Sequence, residues 1–430
     1  MGTQYAITTV VFKNGERFPI LIERSRGLPL FDPTVFALSE VRGRNRAHNT
    51  IEQVLRAVAV FHLYCDSFGI DVTSRLTDGQ LLTLAEIDSL VQYCRVPLAS
   101  HYADTKADCP SVTPPKFSRS VERLRDAMSR TVVSDEVSPA TATIRLRYIR
   151  QYLDWLGRSR ILKLKVTDST RSSLEKVAQT TRDAISARLP GNRSDTGTAQ
   201  REGMDPAAFE QMLAVLEPNA PNNPWTGSHA RERNALMVLW LAFLGLRRGE
   251  LLGVRVSDIN FRSNEVLIPR RADDPLDSRR QQPNAKTNDR LLPLDEHLVR
   301  RTQQYVTGQR RGIKGARKHD FLFVANGSGA ALSLSAANKI FIALRTRCSE
   351  LPNSLSPHVL RHTWNDRFSE HMDREKVPEE QEMRLRRYLQ GWSETSDTPE
   401  VYTRRHRREA AKRASLDMQR SLLEGNGDAK

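Results

Sequence analysis

The second half of the chain carries four short segments whose residue types suit chemistry on an anion. The first is Leu244-Gly245-Leu246-Arg247-Arg248-Gly249-Glu250-Leu251. Gly245 interrupts an apolar run, so Arg247 reaches outward at the break while its stem stays packed. The second is Ser356-Pro357-His358-Val359-Leu360-Arg361-His362-Thr363. Ser356 reads as an N-cap and Pro357 as the first helical residue. His358 and Arg361 then share one face of the first turn. The free N–H groups and dipole of a helix start favour an anion; a His and an Arg added there make a phosphate site with a group that handles protons. In the third, Thr398-Pro399-Glu400-Val401-Tyr402-Thr403-Arg404-Arg405, Thr398 caps a helix and Tyr402 lies on its first turn. The fourth, Lys286-Thr287-Asn288-Asp289-Arg290, precedes a short apolar strand. Taken singly, each has a plain structural reading: surface arginines of a helix–turn–helix, a capped helix with a core histidine, a packing tyrosine, a solvent-facing lysine.

These segments need elements to position them. Residues from Asp205-Pro206 onward open with an N-cap and a first-turn proline. An apolar helix follows over Asn234–Phe243. Short strands are expected at Glu265–Pro269, Arg290–Pro293 and Phe321–Val324, and helix nearly to the end. Between the first two strands runs a long polar excursion with Arg270, Arg271, Arg279 and Arg280, read as an enlarged hairpin that contacts a polyanion.

The first half reads differently. Tyr5–Phe12 and Arg17–Ile22 are rich in β-formers around an Asn14-Gly15 turn, which predicts a hairpin. Thr50 with Gln53, and Thr83 with Glu86, read as capping boxes ahead of apolar residues at helical spacing. Residues 97–118 carry four prolines and read as loop. Ser138 and Pro139 start a helix running to about Leu156, whose polar side carries Arg145, Arg147 and Arg150, read either as a DNA-contacting face or as a solvated one, and Asp168–Arg188 forms another. Residues 191–203 have linker composition. The expected organisation is an N-terminal hairpin over 1–30, a helical domain over 31–190, a linker over 191–203 and a second domain over 204–430. The fold class is mainly α with small β-hairpins or sheet, α+β.

Bulk properties narrow the partners. The chain has 430 residues, 39% of them hydrophobic, and a formal net charge of +15. Such a balance points to a polyanion, nucleic acid first and a membrane surface second, through counterion release at phosphates. No apolar run approaches the length of a membrane span, and Met1-Gly2-Thr3-Gln4-Tyr5 does not begin a secretory signal. Cys65, Cys94, Cys109 and Cys348 form no CxxC pair and no His cluster stands at zinc spacing, so they read as reduced, buried thiols of a cytosolic protein.

In a basic C-terminal domain, the order Arg, Lys, His-x-x-Arg, Tyr resembles the tyrosine recombinase, or phage integrase, family. The resemblance is strong over about residues 203–415, and in architecture it extends to the helical stretch before them, which it identifies with a core-binding domain. It implies that Arg247 and Arg361 clamp the non-bridging oxygens of a scissile phosphate and that Tyr402 is the nucleophile forming a 3′-phosphotyrosyl bond. His358 is implied as base or hydrogen-bonding partner and Lys286 as the acid protonating the leaving 5′-oxygen. Trp392 falls where the family has His or Trp; Glu250 and His362 are supporting residues. The resemblance implies no metal and no cofactor. Its partners are double-stranded DNA, further copies of the chain in a tetramer, and other recombinases or accessory DNA-bending proteins; its place is the cytoplasm, at the nucleoid. The resemblance implies that the basic tail after Tyr402 docks on a neighbouring subunit, with Leu416, Met418, Leu422 and Leu423 as its apolar contact; its plain reading is a solvated helix end. Three departures stand out, the first being that the N-terminal hairpin matches no arm-binding domain. The stretch from Arg247 to Lys286 is longer than the family's usual spacing, and that from Trp392 to Tyr402 is one position longer. The alternatives are a type IB topoisomerase-like enzyme, or a DNA-binding protein with an unused active site.

Overall fold

A computed structural model describes residues 4–98, 136–165, 167–190, 203–271, 273–283, 287–394 and 414–419. Lys286, Tyr402, Cys109 and most of the expected linker lie outside them. The chain divides into two compact units, Met1–Phe12 with Arg17–Gly197, and Lys13–Glu16 with Thr198–Lys430. The fold is mainly α with two small antiparallel sheets, one in each half of the chain.

In the first unit, β1 (Tyr5–Val11) and β2 (Arg17–Glu23) pair from Tyr5↔Glu23 to Val11↔Arg17, and β3 (Leu28–Pro29) adds a short third strand. The helices are α1 (Phe31–Phe36), α2 (His48–Phe68), α3 (Val72–Thr77), α4 (Leu84–Tyr93), α5 (Pro139–Ile161) and α6 (Ser169–Ala187). Tyr5, Phe18 and Leu21 of the hairpin share one core with Ile51, Leu55, Val58 and Phe61 of α2 and Leu146, Ile149 and Leu153 of α5. The hairpin is therefore part of this unit's core. Thr83 and Glu86 form the expected reciprocal capping box, and Ser138 and Asp168 cap α5 and α6. Thr50 does not cap: α2 begins a turn earlier, behind Ala47, and its start has no side-chain cap. Burial of His48 draws the first turn into the core, and packing outweighs the local signal.

Two of the three arginines expected on a polar face of α5 are occupied. Arg145 donates to the carbonyls of Cys94 and Val96 at 2.9 and 2.7 Å, and Arg150 to Ser186 Oγ at 2.6 Å. Arg147 is exposed. Cys65, Cys94 and Cys348 are buried free thiols, and burial pushes the first two up to about 12.

The second unit contains α7 (Pro206–Val215), α8 (Ser228–Leu244), α9 (Arg248–Gly253), β4 (Ile259–Asn260), β5 (Glu265–Ile268), β6 (Arg290–Pro293), α10 (Glu296–Tyr305), α11 (Leu334–Arg347), α12 (Pro357–Arg374) and α13 (Glu379–Gln390). The apolar α8 is buried nearly all round, which makes it the axis of this unit. Its Trp240 donates to Thr302 Oγ1 on α10 at 3.0 Å. The sheet runs β4-β5-β6 with Val266↔Leu292 and Ile268↔Arg290 in register. The strand expected at Phe321–Val324 is not formed. Phe321 and Val324 make single bridges to Arg255 and Ala331, and the four residues are apolar because all are buried.

Gly245 ends α8 in the left-handed conformation, φ 60°. A Cβ there would lie 2.7 Å from Gln390 Nε2 and 2.8 Å from the Trp364 ring. Left-handed strain and overpacking together predict that Gly245→Ala costs more than about 2 kcal/mol, read from urea unfolding midpoints. Gly69→Ala is the control: φ is similar at 62° but nothing lies within 4 Å, so only the strain of about 1 kcal/mol is expected.

Candidate active site

The break after Gly245 hands the chain to α9 through Arg247, whose backbone N–H donates to Glu250 Oε2 at 3.0 Å. Glu250 stands three residues into the helix and reaches back over its start. Its carboxylate is fully buried, and four groups meet it. Arg247 Nη1 lies 3.1 Å from Oε1 and Thr287 Oγ1 donates to the same oxygen at 2.6 Å. Arg290 Nη2 donates to Oε2 at 2.8 Å, and Arg361 Nη1 stands 4.0 Å from it. Burial alone would raise this carboxyl's pKa. The charges of Arg290 and Arg361 and the hydrogen bonds from Arg290 and Thr287 outweigh burial and hold it at about 2.

Arg361 sits on α12, whose start is capped by Ser356 Oγ accepting from Val359 N at 3.3 Å, with Pro357 at the first position. The Arg361 guanidinium turns inward: Nη1 donates to the Gly245 carbonyl at 2.6 Å, Nη2 approaches the Gln390 carbonyl at 3.5 Å, and Cζ lies 5.4 Å from the Trp392 ring centroid. Trp392 is buried beyond Gly391, which ends α13 at φ 63°. The Gly391 carbonyl accepts from Asn288 N at 2.9 Å, and Arg290 Nε donates to the Leu389 carbonyl at 2.8 Å. The stretch leading into β6 is thereby fastened to the end of α13.

On the outer face of α12, His358 and His362 bring their Nε2 atoms to 3.0 Å, with ring centroids 4.3 Å apart and planes at 76°. His358 is exposed, and the Arg247 side chain keeps 35% of its surface while Arg361 keeps 3%.

Of the expected site residues, Arg247, Glu250, Arg361 and Trp392 thus meet in one linked group, and His358 and His362 stand on the helix that supplies Arg361. Lys286 and Tyr402 lie outside the described residues. Sequence reasoning missed Thr287 and Arg290. Both stand in the segment quoted for Lys286, and Arg290 opens a strand whose alternate residues are buried, the one signal that marked it.

Within the enlarged hairpin the expected face of four arginines needs correction. Arg279 is buried, paired with Asp277, donating to the carbonyls of Leu252 and Leu332 and lying over the Phe321 ring. It braces the excursion and is not presented to a partner. Arg271 pairs with Asp258 and donates to the Gly253 carbonyl. Arg270 and Arg280 are exposed.

Residues 204–409 match the family model described as the phage integrase family. The match covers just under half of the chain, and what it shows is similarity to that family over this stretch. Tyrosine recombinase XerD of Pseudomonas aeruginosa is 25% identical over 225 residues, 52% of this chain and 64% of that protein. A tyrosine recombinase of Pseudothermotoga lettingae is 28% identical over 137 residues, 32% of this chain and 40% of that protein. The chain thus spans less than two thirds of the length of either relative. Among solved structures, the Tn1549 transposon integrase in complex with transposon right-end DNA aligns at 14% identity and a TM-score of 0.46, covering 89% of this chain and all of that one.

Removing the charge of Glu250 leaves buried guanidinium groups uncompensated. Glu250→Gln should destabilise the second unit by about 3–5 kcal/mol, measured by chemical unfolding. Because the folded pKa lies below the ordinary 4.5, this contribution is fully present above pH 4.5 and is lost as pH falls toward about 2. The variant's stability should be correspondingly flatter over that window.

Proposed function

We propose that this chain is a site-specific DNA recombinase that cuts and rejoins strands through a covalent phosphotyrosine. The observation that carries the reading is the buried Glu250 carboxylate, which gathers Arg247 and Arg361 beside the capped helix bearing His358, in a stretch that matches the phage integrase family model. Around one carboxylate stand three guanidinium groups, so a net positive charge remains for a phosphate diester.

In the proposed reaction the Tyr402 oxygen attacks phosphorus and the phosphorus–O5′ bond breaks, leaving a 3′-phosphotyrosyl link and a 5′-hydroxyl. A tyrosine hydroxyl has an ordinary pKa near 10, so His358 takes its proton or a hydrogen bond from it. Lys286 gives a proton to the departing 5′-oxygen. Arg247 and Arg361 carry charges that do not titrate away and suit the non-bridging oxygens. Trp392 lends an indole N–H. Reversal by a 5′-hydroxyl from another strand completes exchange, and the phosphotyrosine conserves the bond energy.

The substrate of this reading is double-stranded DNA held by further copies of the chain, in a tetramer, with other recombinases or DNA-bending proteins as accessory partners and the nucleoid as its place of action. Arg147, Arg270 and Arg280 are the exposed cations proposed to meet backbone phosphates. Among the described residues no helix is long and apolar enough to cross a membrane.

On a nicked suicide substrate the wild-type chain should form an adduct that survives SDS gels, while Tyr402→Phe binds the DNA and forms none. An adduct persisting in the Phe variant overturns the nucleophile; DNA binding without any adduct in the wild type points to an unused site. Adduct formation should also continue in EDTA, since guanidinium groups supply the charge that metal ions supply elsewhere. A strict Mg²⁺ requirement contradicts the mechanism.

A further inference from the structure

The His358–His362 pair has a geometry that the proposed reaction does not use. The two residues are four apart on α12, and their Nε2 atoms face each other at 3.0 Å. Zinc–imidazole bonds are about 2.0–2.1 Å long, so two bonds meeting at a right angle or a tetrahedral angle hold their nitrogens about 2.9–3.4 Å apart. The observed separation already falls in that range. The pair is anchored on one rigid helix with a capped start, so chelation needs no backbone rearrangement.

From this we infer that His358 and His362 form an inhibitory site for a borderline divalent transition ion, with Zn²⁺ as the type case. Two imidazole nitrogens suit ions of that class and not Mg²⁺ or Ca²⁺, which prefer oxygen. In the present arrangement one ring donates its Nε2–H to the other. On binding, that ring shifts to its Nδ1–H tautomer, both lone pairs turn to a common point, and water fills the remaining positions. The terminal torsion of histidine is broad, so the turn is small in cost.

Two features weaken the site without closing it. The positive end of the α12 dipole lies beside it, and Arg361 is nearby in sequence. That guanidinium, however, is directed inward to the Gly245 carbonyl and Glu250. Among the described residues no group of three or more His, Cys, Asp or Glu is placed to hold a metal, so the site is a two-ligand one. It captures an ion reversibly and does not build the fold.

The consequence for activity rests on the proposed function. An ion on His358 Nε2 occupies the group proposed to take the Tyr402 proton, and adds a positive charge that the phosphate site does not need. A chelator then restores activity where a metal-dependent nuclease would lose it.

The test separates binding from activity. Zn²⁺ binding to the tag-free full chain, without DNA, is measured by competition with a chromophoric chelator. The wild type should bind one ion at this site. Loss of a supporting partner alone costs metal sites about tenfold or more, so His362→Ala and His358→Ala, each losing a direct ligand, should weaken binding by at least that factor, while excess Mg²⁺ does not compete. His362→Asn repeats the comparison should the Ala variant fold poorly, as judged by its melting curve. Equal Zn²⁺ affinity in wild type and folded variants overturns the site. In the activity arm, Zn²⁺ should suppress the covalent adduct of the wild type, and EDTA should restore it. Undiminished adduct formation with the site loaded overturns the inhibition. Failure of the wild type to form any adduct in EDTA counts against the proposed function instead and leaves the binding arm to decide the site.

Discussion

One buried carboxylate sets the arrangement of the second unit. Two like charges 4 Å apart repel by about 4 kcal/mol at an effective dielectric of 20, and the three arginines at Glu250 come from three separated places in the sequence. Without an anion between them they would diverge. With Glu250 in place, the turn after α8, the start of β6 and the N-terminal part of α12 are drawn to one point. A buried ion group of this kind adds little stability over a well-packed apolar cluster, but it is costly to break. Its value is positional: the cations stay ordered and a positive excess remains.

Helix ends supply the rest of the positioning. Gly245 closes α8 and Gln390 closes α13, and both of their carbonyls face Arg361. These are the negative ends of two helix dipoles, where a guanidinium is favoured. Arg361 itself stands just past the first turn of α12, near a positive end that favours an anion. A single residue is thus held from behind by the carbonyls at two helix C-termini. The left-handed glycines make this possible, since a side chain at Gly391 would collide with Arg290 and the Asn288 carbonyl, opening the seam on which Trp392 rests.

The sequence was legible wherever the signal was local. Ser356-Pro357, Asp205-Pro206, Ser138-Pro139 and Thr83 with Glu86 all cap helices, because a cap is decided within four residues. The paired arginine, glutamate and histidine motifs were readable for the same reason. Arginine fates were not. Arg279 and Arg270 look alike in sequence, yet one is buried on carbonyls 27 and 53 positions away and the other is exposed. Arg290 was passed over in favour of Lys286 because its partner, Glu250, lies 40 residues earlier. The same limit explains Phe321–Val324: an apolar run reports burial, and burial on all sides does not require a strand.

The unequal exposure of the two site arginines fits their geometry. Arg361 is fixed by two carbonyls, a carboxylate and an indole face, so its orientation is decided before any ligand arrives. Arg247 shares the same carboxylate but keeps a third of its surface, so it can adjust its head while its backbone N–H remains tied to Glu250. For the proposed reaction this division is favourable. Charge that develops on a phosphate is stabilised most by dipoles and cations that need no reorganisation, and a fixed guanidinium meets that condition. A duplex must nevertheless enter and leave, which a wholly rigid clamp would hinder. A buried cation paired with a half-exposed one, both governed by Glu250, meets both demands, and it ties the electrostatics of the site to the integrity of the core beneath it.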